Sequence, residues 1–345
     1  MKEITYFFGA GASCQSMPLV SNFKERFEVF EEFLSERENS LSFYLMLEIK
    51  DFKKAIASHF SFDTFFKKLF HQGVEEKIIL KYKGLLLLFF LFEHLVEIEN
   101  LENNTEFRKH KQANRQKISN FDPRYEALIA GLLKPLRGKT EFHSKVNFFT
   151  WNYDINLIFA LKNFISPNEK FTDFVDSRNK GPYFEISHQV KIFHLNGFVF
   201  HPILNDFTNQ NSLTQYHNII GNYQPNSLDE YASKIKFSWE QEKPPIVEYE
   251  SAITNSETII LIGYSLPLYN RNVDSAILNS SKLRGKKLII QNLNPESIAE
   301  VLESDFNINY TSQNRTMEDP KIILSENCAS FIVPNSTIEL NYEVY

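Results

Sequence analysis

Ile4-Thr5-Tyr6-Phe7-Phe8-Gly9-Ala10-Gly11-Ala12-Ser13 is an uncharged apolar run that stops at two glycines. Its first five residues suit a buried strand, because β-branched and aromatic side chains pack well on a pleated sheet. The next five form a glycine-rich turn. Gly9 and Gly11 carry no Cβ, so the chain can turn sharply and come close to a ligand. A strand ending this way leaves backbone N–H groups to cradle a phosphate. Short Gly-Ala turns after strands are common in α/β proteins, so the meaning of this one depends on the residues downstream of it.

Four more segments read as buried parallel strands, each followed by a turn and a helical pattern: residues 146–150, 190–195, 258–262 and 287–291. This alternation predicts an α/β protein, a Rossmann-like parallel sheet with helices on both faces. Asp154 precedes a helix through Ile155, Ile158 and Phe159, and Asn294-Pro295 opens another through Ile298 and Val301. The stretch between the first two strands is different. Ser21 is placed to cap a helix with Phe23, Phe27, Phe30 and Leu34 on one stripe. Helical patterns follow over 41–60, 62–72 and 76–98, and Asp122-Pro123 starts one that runs to Leu133. The polar residues 100–120 read as an exposed loop or a frayed helix end, and the β-branched tail 330–345 as one or two added strands. The expectation is a single domain over 1–345, with a Rossmann-like core of 1–21 and 143–345 and an inserted helical lobe at 22–142.

Composition narrows the function classes. A length of 345 residues, 43% of them hydrophobic and 33 of them Phe, can bury a large core. The net charge of −6 gives no whole-chain reason to expect nucleic acid, and the basic run 108–111 reads as a solvated loop. The two cysteines, Cys14 and Cys328, are too few and too separated for a disulfide framework or a Cys-x-x-Cys zinc site. The N-terminus runs straight into a strand with no signal peptide, and the longest apolar run, 85–92, is less than half of the ~20 residues a membrane span needs. A cytoplasmic protein with a buried helix at 85–92 is expected, with no membrane and no direct nucleic-acid partner.

In open α/β sheets the ligand crevice lies at the carboxyl ends of the strands. The five expected strands end there in Gly9–Ser13, in Thr150-Trp151-Asn152-Tyr153-Asp154, in His194-Leu195-Asn196-Gly197, in Gly263-Tyr264-Ser265-Leu266-Pro267 and in Gln291-Asn292-Leu293-Asn294. In this order the set resembles the sirtuin superfamily. The likeness is greatest to the prokaryotic sirtuin-like NAD-hydrolysing effectors of antiphage defence, which lack the zinc module of the deacylases. It covers residues 1–20 and roughly 143–300; the helical lobe carries no matched motif.

The resemblance implies a role for each matched residue. Gly9, Ala10, Gly11, Ala12 and Ser13 correspond to the loop that wraps the pyrophosphate of NAD, with Met17-Pro18 continuing toward the nicotinamide pocket. Thr150, Asn152 and Asp154 correspond to a Thr-x-Asn-x-Asp motif whose Asn and Asp line the nicotinamide-ribose pocket. Gly263 and Ser265 correspond to a turn against the phosphates and adenosine ribose, and Asn292 or Gln291 to an adenosine-ribose contact. Tyr264 is placed either to stack on adenine or to pack in the core. The family carries a catalytic His just before the glycine of its His-Gly motif, where this chain has Asn196. Three readings stand: Asn196 substitutes as a hydrogen-bonding group, His194 reaches the same pocket as the base, because i and i+2 on a strand share a face, or the site binds NAD without turning it over. Asp154 has a structural rival role as a helix cap.

The function implied is NAD glycohydrolase activity. Water would cleave the nicotinamide–ribose bond of NAD, which is substrate here, and deplete it as an abortive-infection response. No zinc is expected. Control would come from a protein partner acting as sensor or activator, or from homo- or hetero-oligomerisation. The alternative is a silent NAD- or ADP-ribose-binding module that regulates a partner. His188, His194 and His201 lack the spacing and companions of a metal site. Cys14 reads as a small buried hydrophobe, and Trp151 as a core residue.

Overall fold

The computed structural model describes residues 3–35, 42–96, 120–179, 183–206, 210–240, 245–310 and 319–334. The expected strands form as β1 (Glu3–Phe8), β2 (Lys145–Thr150), β4 (Val190–His194), β5 (Ser256–Ile262) and β6 (Lys287–Gln291). Two more had no clear sequence signal: β3 (Phe184–Ser187) and β7 (Lys321–Ser325). All seven make one sheet in the order β3-β4-β2-β1-β5-β6-β7. Only β3 runs antiparallel to its neighbour. Without β3, the parallel strands in chain order read 3-2-1-4-5-6, the doubly wound order whose reversal point lies between the first and fourth strands, here β1 and β5.

Between β1 and β2 come α1 (Phe23–Ser35), α2 (Phe43–Ala57), α3 (Phe62–His71), α4 (Glu76–Leu95) and α5 (Pro123–Leu132). After β2 follow α6 (Asn156–Ile165) and α7 (Phe171–Arg178). Between β4 and β5 lie α8 (Gln210–Gly221), α9 (Asp229–Ala232) and α10 (Ile246–Asn255). Then come α11 (Arg271–Ile277), α12 (Ser280–Leu283) and α13 (Pro295–Phe306). Asp122 and Asn294 cap α5 and α13 as expected, accepting from Arg124 N at 3.1 Å and Ser297 N at 3.3 Å. Ser21 does not cap α1; it sits inside a 3₁₀ turn, Val20–Asn22, that precedes it. Residues 330–334 form no strand, and the rest of the expected tail strands, with most of the 100–120 segment, lies outside the described residues.

Each strand feeds two cores, because successive side chains point to opposite faces. Phe7, Phe149, Phe193 and Leu261 pack under α10, α11 and α13. Tyr6, Phe8, Phe148 and Ile262 face the other way, into a cluster that continues without a break into the helical lobe. Residues 85–92 of α4 are buried all round, as their unbroken apolar run requires. The α1 stripe meets this helix ring on ring: Phe23, Phe27 and Phe30 lie 5.1, 5.6 and 5.8 Å from Phe89. The layer over this face is built from two chain segments. Tyr216 of α8 donates to Leu88 O at 2.9 Å, and Glu240 pairs with Lys83 at 2.7 Å. No helix among the described residues is long and apolar enough to cross a membrane.

Inside the lobe, Arg26 of α1 grips Glu93 of α4 with Nε at 3.0 Å and Nη2 at 2.8 Å, both side chains being about fully buried. Removing one member of such a pair leaves an uncompensated buried charge, a loss of about 3–5 kcal/mol, whereas replacing both by apolar residues is often close to neutral. Urea unfolding of Arg26→Met should therefore show that loss, and adding Glu93→Leu should restore most of it. A double variant no more stable than the single one would refute this account.

Candidate functional site

The turn after β1 is built for contact with protein backbone before any ligand arrives. Residues Ala10–Ser13 wind into one 3₁₀ turn. Gly9 N donates to Ile262 O and Gly11 N to Gly263 O, each at 3.0 Å, and Ala12 N to Gly9 O at 2.9 Å. A Cβ on Gly9 would lie 2.5 Å from Tyr264 Cα, and one on Gly11 would lie 2.9 Å from Gly263 Cα. Gly263, at φ +57°, would bring its own Cβ to 2.4 Å from Ala12 N. These glycines are required where the β1 and β5 turns press together at the reversal point. The expectation that their N–H groups are left for a phosphate is corrected: those of Gly9, Gly11 and Ala12 are spent inside the protein. Ala10 is exposed, and its N–H has no partner among the described residues.

The β2 turn is stitched to the first. Thr150 Oγ1 accepts from Asn152 N at 3.0 Å, which bends the chain back after the strand. Asn152 Nδ2 then donates to Gly9 O at 3.0 Å and to Ser13 Oγ at 3.1 Å. Because Gly9 O only accepts, the amide orientation is set, and Oδ1 is the atom left to face a ligand. Ser13 Oγ also meets Tyr125 Oη at 2.9 Å. Asp154 Oδ1 accepts from Asn156 N at 3.0 Å and from Asn156 Nδ2 at 2.7 Å, so it holds the start of α6 from two residues upstream. Burial pushes its carboxyl above the usual range. Asn156 Nδ2 reaches Ser16 Oγ at 2.9 Å, and Arg124 clamps Asp122 at 2.5 Å and Ala12 O at 2.9 Å. Tyr125, Asn156, Ser16 and Arg124 were not legible as part of this clamp, since the contacts Tyr125–Ser13, Asn156–Ser16 and Arg124–Ala12 join residues far apart in sequence.

These turns enclose a cavity of about 100 Å³ at the carboxyl edge of the sheet. Gly9, Ala10 and Ser13 line it from β1, Asn152 and Asp154 from β2, Asn196 from β4, and Tyr264 and Ser265 from β5. Met17 and Pro18 border it as well. Trp151 is buried as expected but also lines the cavity, its ring stacked 6.0 Å from Tyr264 at 19°. Tyr264 donates to Asp274 Oδ2 at 2.6 Å, so its ring is held in the wall. Asn196 Nδ2 donates to Trp151 O at 3.1 Å. The helical lobe supplies the remaining side with Phe62 and Asp63 of α3 and Phe90 of α4. Among the described residues that line the cavity there is no lysine, arginine or histidine.

Asp63 is the functional candidate that sequence reasoning missed. It is 4% exposed and accepts from Tyr153 Oη at 2.7 Å. Burial pushes its carboxyl up to about 6. The local signal was present, because Ser61 and Thr64 form a capping box that fixes Asp63 in the first turn of α3. Its facing the cavity follows only from tertiary packing.

Several expected residues stand elsewhere. His194 does not reach the cavity: its ring lies 5.3 Å from Phe184 and 5.0 Å from Phe198, and burial pushes it down to about 3. The face it shares is the apolar one beneath the lobe, because the chain turns at Leu195 before Asn196 enters the wall. Gln291 donates from Nε2 to Asn327 O and Ser330 O, both at 2.5 Å, and anchors the segment after β7. Asn292 Oδ1 accepts from Asn294 N at 3.3 Å. Neither lines the cavity, and Gly11, Ala12, Thr150 and Gly263 stand behind its wall. Cys14 is half-buried, and its Sγ accepts from Arg124 Nη2 at 3.5 Å, so it is not a plain buried hydrophobe. Among the described residues no three His, Cys, Asp or Glu side chains gather to hold a metal. No protein-family model matches the chain, and no curated protein matches it.

Gly138 has φ +72° and open space around its missing Cβ, whereas Gly263 combines positive φ with the turn contact. Gly138→Ala should cost only the left-handed penalty, about 1–2 kcal/mol. Gly263→Ala should cost about 3 kcal/mol or more by adding a backbone clash. Thermal unfolding of the two variants side by side checks this, and equal losses would show that the turns can part freely.

Proposed function

We propose that the chain is a sirtuin-like NAD glycohydrolase, cleaving the nicotinamide–ribose bond to release nicotinamide and ADP-ribose. The observation that carries this reading is the meeting of the β1, β2, β4 and β5 turns around one cavity at the reversal point of a doubly wound sheet, the place where such sheets bind dinucleotides. At about 100 Å³ the cavity is smaller than the roughly 300–1,000 Å³ of a site for a drug-sized ligand. It suits one ring or ribose of a dinucleotide. The pyrophosphate would then lie outside, at the mouth, where Ala10 and Ser265 are exposed.

Bond cleavage here develops oxocarbenium-like positive charge on the ribose while a neutral ring departs. Asn152 would offer Oδ1 to a ribose hydroxyl or to the attacking water, without titrating. Asp63 and Asp154 would supply negative charge to a site with no cation among the described residues of its lining, which favours the charge that develops. The aromatic side chains of Phe62, Phe90, Trp151 and Tyr264 would limit the entry of bulk water. The physiological extension of this proposal is an antiphage effector of the cytoplasm, held inactive until a protein partner or self-assembly releases it.

One observation favours the alternative, a silent NAD- or ADP-ribose-binding module. With Asn196 in the wall and His194 outside it, no imidazole is at hand as a general base, help worth ~10²–10⁴-fold in rate. Incubation of the purified chain, alone and with the product of its neighbouring gene, with NAD separates the two readings. Nicotinamide release that falls at least ~10²-fold in a folded Asn152→Ala variant supports the hydrolase. Binding of NAD with no release in either preparation supports the module, and the absence of both binding and release overturns the two readings together.

A further inference from the structure

Among the described residues, every polar group lining the cavity is neutral or acidic. Two carboxylates contribute, and they are held differently. Asp154 is bound by Asn156 and belongs to the clamp that ties the turns together. Asp63 accepts one hydrogen bond from Tyr153, and beyond its own backbone N–H it meets no other donor among the described residues. It stands in the first turn of α3, where the helix N-terminus favours a negative charge. No Lys or Arg is within salt-bridge reach of it among the described residues. A buried carboxylate with no counter-ion, lining a chamber the size of one ring, is a site waiting for positive charge from the ligand.

The geometry points to Asp63 as the specificity-determining residue of this cavity, through which the helical lobe selects a ring-sized group carrying positive charge. On the reading above, that group is the pyridinium ring of oxidised NAD with the adjoining ribose carbon, and the neutral dihydropyridine of the reduced form would be refused. The inference rests on that reading for the name of the ligand but not for the charge. The titratable groups that interact with Asp63 are Tyr153 and Tyr269, both pushed up by burial and neutral; Asp154, also pushed up, lines the same cavity. Glu240, which acts on Tyr153 through space, is paired with Lys83. With Asp63 pushed up to about 6, its charge is present at neutral pH and is lost in mild acid.

Calorimetric titration with oxidised and reduced NAD tests this in the full chain, together with 1-methylnicotinamide as a ring-sized cation and nicotinamide as its neutral counterpart. The wild type should prefer the oxidised form on the order of tenfold at pH 7.5, and the preference should shrink as the pH is lowered through about 6. Asp63→Asn, which keeps the size and can still accept from Tyr153, should bring the ratio near one. Tyr153→Phe removes the one side-chain hydrogen bond that holds the Asp63 carboxyl down, so it should keep the preference but need a higher pH than the wild type to show it. Equal binding of the two forms by the wild type, or a preference that survives in Asp63→Asn, overturns the inference and leaves the NAD reading intact. If neither dinucleotide binds, the NAD reading falls, and the small probes then decide. Binding of 1-methylnicotinamide over nicotinamide that is lost in Asp63→Asn supports the inference, and no such difference overturns it.

Discussion

The turns that end β1 and β5 touch backbone to backbone, and the position of the cavity depends on that contact. Strand order reverses between these two strands, so their following connections leave toward opposite faces of the sheet and open a crevice. Side chains on Gly9, Gly11 or Gly263 would hold the turns apart. With them absent, Gly11 N reaches Gly263 O and Gly9 N reaches Ile262 O. The first turn is thereby fixed on its own neighbour. Asn152 binds it from the β2 side, and Arg124 and Tyr125 from below. The polar atoms that remain for a ligand are few and are held in place before it arrives, which removes part of the ordering cost of binding.

The helical lobe does more than cover one face of the sheet. Its Phe-rich stripes run into the same apolar cluster as Tyr6, Phe8 and Phe148, so the lobe and the sheet share one core. Phe62 and Phe90 continue that core to the edge of the cavity, and Asp63 arrives between them on α3. Two carboxylates are thus buried on this side in opposite ways. Glu93 is matched by the bidentate grip of Arg26, while Asp63 has a single tyrosine hydroxyl. The first arrangement stabilises packing between α1 and α4. The second keeps a charge poorly compensated, a state that persists where a site puts it to use.

The fold was largely legible from the chain because buried parallel strands leave strong marks. Five runs rich in β-branched, aromatic or other apolar residues, each ending in Gly or Asn, gave the inner sheet, and the caps at Asp122 and Asn294 gave helix starts. The edge strands β3 and β7 escaped because they are short and only partly covered, so their residues need no continuous apolar pattern. Within the site, Asn152, Asp154, Asn196 and Ser265 were foreseen and do line the cavity, since each sits in a turn directly after a strand. His194 failed for a local reason. Same-face logic holds only while the strand continues, and β4 ends at His194 itself. Gln291 failed because its partners lie in the segment after β7, which no period in the sequence ties to β6. Asp63 was hidden in a lobe with no motif, and only packing against the sheet reveals the cavity it faces.

A chamber lined by two carboxylates, with no histidine, lysine or arginine among the described residues of its wall, sets conditions on the chemistry proposed for it. Reactions that build negative charge, such as attack on a carbonyl, would be opposed by Asp63 and Asp154 and would find no side-chain cation in the lining to stabilise an oxyanion. A reaction that builds positive charge on a sugar and expels a neutral ring needs neither. Its main demands are fixed negative charge near the reacting carbon, exclusion of competing water and an acceptor to hold a hydroxyl. On the proposed reading Asn152 Oδ1 would meet the last of these without a proton transfer, so a missing imidazole would remove an aid and not a prerequisite. The low-dielectric aromatic wall strengthens each carboxylate's field, since buried charges act over an effective dielectric of about 20 instead of 80. The same wall that pushes Asp63 toward neutrality when the cavity is empty therefore makes it most effective when a positive charge enters.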